Sequence, residues 1–370
     1  QTMTTFPNES GANTLPNLPE RNMSHNYRLL ANGQFDTGGG GRTTDTDGIA
    51  DNPYPVLYDN FSKVFQTSQK LTNYLSIGQR RGSTNYNVSF QNEKDEGVLR
   101  LVDGYRRQNF RLNIDQALSN RLDVGAGAFY GRSFADQADD DFGMFFSMVF
   151  LEPNINIDSI VTACPAGTIC SFVGQYNPIV RQTPLSGNVS NPLYDLQTIT
   201  KTNSRDRFTG TARGQFRMLD WLAFDGNIGY DVAGRTFKDH TAVGYTSSSN
   251  NVSQGYLRTL SRSDRSYNIN VSATAIREFG DIRNTTKIAG LYEDQTNNCT
   301  DIESSALSAP KVPEFGVYSG TIEPDSRTET IRARNAFAVT TFDIKDRYII
   351  DGLVRRDESS LFGADNRSST

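Results

Sequence analysis

The sequence predicts an all-β fold: an antiparallel transmembrane β-barrel portion of about ten strands, with long loops on one rim and short turns on the other. Three observations predict it. Period-two alternation of apolar and polar residues recurs along most of the 370-residue chain. Short and long connections between the alternating segments succeed one another without exception. Many of the segments also run past the roughly 9–11 residues that a tilted strand needs to cross a bilayer.

The elements follow in order. A first strand is expected near residues 71–79, followed by the short turn "RRGS". In the next strand, 84–92, Tyr86, Val88 and Phe90 share one face, and Asn85, Asn87, Ser89 and Gln91 the other. After a longer loop, strand 105–116 sets Phe110, Leu112 and Ile114 against Asn109, Arg111, Asn113 and Asp115. It turns at "ALSN" into strand 121–133, which leads to a very long excursion, 134–205. Strand 206–217 ends in "MLD", and strand 221–235 places Leu222, Phe224, Ile228 and Tyr230 opposite Asp225, Asn227 and Asp231. Strands 264–277 and 284–293 are joined by "EFGDIR"; strand 330–343 ends in "IKD" and is followed by the strand "RYIIDGLVR". The remaining long loops are expected at 236–263 and 294–329.

One elaborate and one plain end is the pattern of a membrane barrel. Strands of a soluble sandwich are usually nearer 5–6 residues, with Greek-key crossings. A long-stranded soluble β-protein stays open as the alternative on periodicity alone.

Composition is consistent with either. The chain is rich in Asn, Ser, Thr, Gly and Tyr, with Trp221 as its single tryptophan. Its net charge of −5 and scattered basic residues give no nucleic-acid footprint. No segment approaches twenty consecutive apolar residues, which excludes a transmembrane helix but not a barrel, because a barrel strand shows lipid only every second residue. Residues 1–60 read as a polar, loop-rich segment; the run "TGGGGR" lacks the Lys-Ser/Thr and the strand–helix context of a phosphate loop. With no leader and a polar, loop-like end, the chain reads as a fragment of a longer protein.

Few residues suggest chemistry. Cys164 and Cys170, in "CPAGTIC", are expected to form a disulfide closing a small exposed loop, with Cys299 left as a free thiol. His25 and His240 lie far in sequence from the cysteines, so no metal site is expected. Asp139, Asp140 and Asp141 read as a solvated acidic turn, followed by the apolar run "FGMFFSMVFLEP", a candidate short helix. No G-x-S-x-G or H-E-x-x-H motif is present, and neither an enzyme nor a cofactor is expected.

Two stretches carry a resemblance. In the first, Asn85, Tyr86, Ser89, Glu96 and Gly97 are followed by Arg107, Asn109, Arg111, Asn113, Asp115 and Leu122. The second, "KDRYIIDGLVRRDESSLFG", supplies Tyr348, Arg355, Arg356, Asp357, Ser359, Ser360, Phe362 and Gly363. With "NPLYDL" from Asn191, these elements resemble the barrel of SusC/RagA-type TonB-dependent transporters over about residues 56–370. Glu358 and Leu361 depart from the family pattern at one loop tip.

The resemblance implies a portion (residues 61–370) of a plugged barrel of roughly 22 strands, with the plug domain and TonB box not in this chain. It implies the bacterial outer membrane, import of oligosaccharides or oligopeptides, a SusD-like surface lipoprotein as lid, and TonB as motor. The barrel reading makes Tyr86, Val88, Phe90, Phe110, Leu112, Ile114, Leu222, Phe224, Ile228, Tyr230, Ile350 and Val354 lipid-facing. It makes Asn87, Ser89, Arg111, Asn113, Asp225, Asn227, Asp351 and Arg355 lumen-facing, with Tyr348 at the turn-side aromatic girdle. A passive porin and a secreted β-sandwich or adhesin are the alternatives.

Overall fold

The computed structural model describes residues 58–137, 148–149, 156–162, 174–183, 187–247, 251–308, 312–362 and 368–369. The expected Cys164–Cys170 bridge, His25, the glycine run and the three aspartates 139–141 lie outside these residues.

Ten long strands form one antiparallel sheet: β1 (Lys70–Arg81), β2 (Thr84–Asp95), β3 (Tyr105–Ser119), β4 (Leu122–Gln137), β7 (Ile199–Leu219), β8 (Leu222–Thr241), β9 (Tyr256–Phe279), β10 (Ile282–Ser305), β11 (Ile322–Ile344) and β12 (Tyr348–Ser359). Each pairs with its sequence neighbours, apart from β4, which pairs with β7; a two-residue β13 (Ser368–Ser369) adds to β12. The hairpin of β5 (Ile179–Thr183) and β6 (Gly187–Ser190) stands apart, within the excursion between β4 and β7. No pairing joins β1 to β12 among the described residues, so the sheet is open. Helix α1 (Asn60–Val64) precedes β1, and helix α2 (Pro192–Thr198) precedes β7.

The connections keep the expected alternation. Four of the tight turns have two residues between strands, and the β11–β12 turn has three. The loops at the other end have 9 residues (β2–β3), 14 (β8–β9) and 16 (β10–β11). The strands are longer and the loops shorter than the alternation predicts. The β8–β9 loop covers 242–255 rather than 236–263, and the β10–β11 loop 306–321 rather than 294–329. The cause is a change of surroundings along the strand. On β8, apolar residues on one face run from Leu222 to Val232, and then the same face carries Gly234, Thr236, Lys238 and His240. Beyond that point the formerly apolar face is polar and the other face mixes Phe237 with Arg235 and Asp239, so the period-two signal fades while the backbone ladder continues.

The ladder is maintained there by cross-strand polar pairs. Arg258 grips Asp301 with both Nε (3.0 Å) and Nη2 (2.6 Å), and Lys201 lies 3.5 Å from Asp239. At 24 residues each, β9 and β10 span about 80 Å at ~3.3 Å per residue, far more than a bilayer crossing requires.

Candidate functional site

The register fixes which side chains share a face. Tyr86, Val88 and Phe90 stand opposite Ile114, Leu112 and Phe110. That face continues through Ala126, Ala128 and Tyr130 of β4 and through Phe208, Ala212 and Phe216 of β7 to Leu222, Phe224, Ile228 and Tyr230. From β8 it passes through Val271 and Ala273, then Ile288 and Ala338, to Ile350 and Val354. All twelve residues expected to face lipid thus lie on one side of the sheet. The eight expected to face the lumen, Asn87, Ser89, Arg111, Asn113, Asp225, Asn227, Asp351 and Arg355, lie on the other.

The apolar side is open to its surroundings: Ile228 is 52% exposed, Ile288 60% and Val354 65%. Aromatic rings line its upper part, with Tyr230 between Phe208 (6.3 Å) and Tyr267 (5.0 Å). Near the turns, the Arg277 guanidinium covers the Trp221 ring at 3.7 Å, and Arg347 lies 5.6 Å from the ring of Tyr348.

The polar side is concave. One hollow of about 1080 Å³ is lined by side chains of eight strands, from Arg80 on β1 to Lys287 on β10, which requires the face to curve around it. The side chains across this face link distant strands. Asp115 on β3, Gly125 on β4 and Arg213 on β7 occupy one register row, and Arg213 Nη2 donates to Asp115 Oδ1 at 2.7 Å across the intervening strand. The glycine permits this: a Cβ at Gly125 would meet both partners at 2.6 Å. Higher on the same face, Arg207 and Thr209 both donate to Asp231 Oδ2, and Arg111 covers the Phe129 ring at 5.6 Å. These groups are substantially exposed, so each pair stabilises little. Together they make a wall of alternating guanidinium, carboxylate and amide groups suited to polar cargo or to a polar protein surface.

The described part of the chain buries its side chains most completely in the long-loop rim rather than in the sheet. Val64 of α1, Met148, Ile157 and Leu193 of α2 form a small core, packed by Phe61, Phe65, Leu99, Tyr176 and Leu196. Asn191 caps α2, accepting from Leu193 N (3.0 Å), and its Nδ2 donates to the carbonyls of Ile157 and Asn177, both at 2.9 Å. Pro192 follows at the first helical position, where its missing N–H costs nothing. Tyr194 is fully buried and stacks on Tyr245 at 5.5 Å. Its hydroxyl accepts Thr246 N–H (2.8 Å) and donates to Gly244 O (3.3 Å), which ties the β4–β7 excursion to the β8–β9 loop. Burial pushes the Tyr194 phenol up from its ordinary range.

This rim core went unread in the sequence, although "NPLYDL" drew attention for its resemblance. A local signal for α2 alone was present: an Asn cap, Pro at the first turn and apolar residues directly behind.

Among the described residues no three His, Cys, Asp or Glu side chains converge as metal ligands. His240 lies on β8 above the apolar band, and Cys299 is a free, partly exposed thiol on β10.

No protein-family model matches the sequence, and no curated protein matches it either. Solved structures do match. A chain of the RagAB peptide transporter aligns with a TM-score of 0.65 at 17% identity, over 85% of this chain and 34% of that one. The RagAB peptide importer in its "closed-closed" and "open-open" states aligns with TM-scores of 0.63 and 0.65, at the same identity and coverage. The chain therefore spans about a third of the length of the chains it matches. Its ten long strands, alternating connections and two-sided register have the fold of the matching part of the RagAB transporter chain.

Proposed function

We propose that the chain is a wall segment of an outer-membrane, TonB-dependent importer of large polar nutrients. The observation that carries this reading is the two-sided sheet: one continuous apolar face and an opposite, concave polar face. On β8 the apolar stretch from Leu222 to Val232 covers eleven residues. At a tilt near 45° that is about 25 Å of height, the thickness of a barrel's lipid belt. The apolar face meets lipid, and the polar face lines a lumen filled by a plug and crossed by cargo.

Exposed aliphatic side chains over ten strands would be an aggregation surface in water but are the native solvent contact in a bilayer. The likeness to the RagAB peptide importer favours oligopeptides over oligosaccharides as cargo. The loop rim, with its own core, provides a firm seat for a SusD-like lipoprotein lid, and TonB acts on the plug from the turn side. Such a protein is a transporter rather than an enzyme.

Deletion of the full-length gene, followed by uptake of labelled oligopeptides and oligosaccharides, tests this. Uptake is expected to vanish on deletion and on dissipating the proton-motive force. Uptake that continues without energy would identify a passive porin instead.

A further inference from the structure

Resting on the reading that the apolar face meets lipid, we propose that this face also carries a site for a phosphate-bearing membrane lipid. It lies at the upper edge of the apolar band, between β9 and β12. Four arginines gather there on the outward side: Arg265, Arg332, Arg334 and Arg356. The register places them. Ala336, on the outward face beside Gly290, stands opposite Arg356. Arg334 stands opposite Tyr292, Arg332 opposite Asp294, and Asp294 opposite Tyr267. Arg265 is two residues above Tyr267 on the same face.

Two carboxylates offset part of this charge. Arg332 Nε donates to Asp294 Oδ2 at 2.7 Å, and Arg356 Nε to Glu358 Oε1 at 3.1 Å. Arg265 and Arg334 make no salt bridge within 4 Å among the described residues, although Glu358 stands opposite Arg334 on the neighbouring strand and Asp294 is near enough to Arg265 to feel its charge. Each instead lies over an aromatic ring, Tyr267 at 5.6 Å and Tyr292 at 5.9 Å. A contact with a ring at that distance occupies none of the guanidinium N–H groups as a carboxylate would, so they stay available to an anion.

Directly below, an apolar groove of about 730 Å³ crosses the outward face. Phe216, Phe224, Val271 and Ile288 line it, and it ends at Ala336, beside Arg356 and below Arg334. Charge complementarity selects the occupant. A neutral lipid would fill the groove and leave two unpaired guanidiniums to water. A free anion would meet the arginines and leave the groove unused. A lipid with a phosphorylated head uses both: phosphate oxygens accept from Arg265 and Arg334, and an acyl chain lies along the groove.

Native mass spectrometry of the full-length protein in detergent tests the site. The probes are diphosphorylated lipid A, its dephosphorylated form and inorganic phosphate. A one-to-one adduct with the phosphorylated lipid alone is expected. In the Arg265→Gln/Arg334→Gln variant the adduct should weaken on the order of 30-fold, from about 1 kcal/mol per basic residue. Inorganic phosphate should not displace it. An equal adduct in the variant, no adduct in the wild type, or displacement by inorganic phosphate would each overturn the site. A spin label at Ile288→Cys in reconstituted vesicles separates this from the barrel reading. A label open to oxygen but closed to a water-soluble nickel chelate, with no adduct, sinks only the lipid site. A label open to the chelate sinks the barrel reading itself.

Discussion

Ile228 in the wall is 52% exposed and Ile288 60%, whereas Leu193 in the rim is 2% exposed and Tyr194 fully buried. The wall has next to no core of its own. Its strands are joined by backbone hydrogen bonds, and its apolar side chains depend on an external solvent to accept them. The rim is built as a small soluble domain is built, with a capped helix, a few interdigitated apolar side chains and buried hydroxyl and amide bonds. The contrast teaches that a substitution acts on the wall through the medium and on the rim through packing.

The largest effect should therefore come from the rim. Leu193→Ala is expected to cost about 2–5 kcal/mol, because its neighbours cannot collapse into the space left. The loss should appear as faster hydrogen exchange in α1, α2 and the β8–β9 loop, with the heat-modifiable gel migration of the full-length barrel unchanged. If the barrel itself loosens, the separation between rim and wall is broken.

Ile228→Arg is the corresponding change at mid-height in the wall. In lipid vesicles it should destabilise by about 2–4 kcal/mol in denaturant titrations. An exposed Ile→Arg change in water would usually stay within about 0.5 kcal/mol. A near-neutral result would show that this face does not meet lipid.

Tyr194→Phe sharpens the comparison further. It removes the acceptor of Thr246 N–H, leaving a part-buried donor unpaired, at about 1–3 kcal/mol. The same phenol gives the rim a pH dependence. Burial raises its folded-state pKa above the unfolded value near 10, so its contribution is complete below that value and is lost as pH rises beyond it. Hydrogen exchange between α2 and the β8–β9 loop should accelerate above about pH 10 in the wild type and lose that feature in Tyr194→Phe.

The smallest effect belongs to the polar face. Arg213→Gln breaks the 2.7 Å pair with Asp115, but both side chains are largely open to water. A change of less than about 1 kcal/mol is expected in denaturant titration. A larger loss would mean that the pair is enclosed in the intact protein, as a plug against this face would make it.

The strand order, the alternation of connections and the assignment of side chains to two faces were legible in the sequence. A strand with one apolar and one polar face must alternate every second residue, and Tyr86–Phe90, Phe110–Ile114 and Leu222–Tyr230 do so. Strand ends were not legible. Above Val232 on β8 and Tyr267 on β9 the few apolar residues, such as Phe237, Leu257 and Leu260, no longer recur on one face, so the ladder continues without a period in the side chains. The rim core was also hidden. Val64, Met148, Ile157 and Leu193 come from segments far apart in the chain, as do Tyr194 and Gly244, and no local pattern reveals that they meet. Nor could the sequence bring Asp115 to Arg213 across Gly125, because their contact depends on three strands being in register. Local periodicity was fixed by the need of each strand for one apolar and one polar face; contacts across strands and loops were decided only when tertiary structure brought distant residues together.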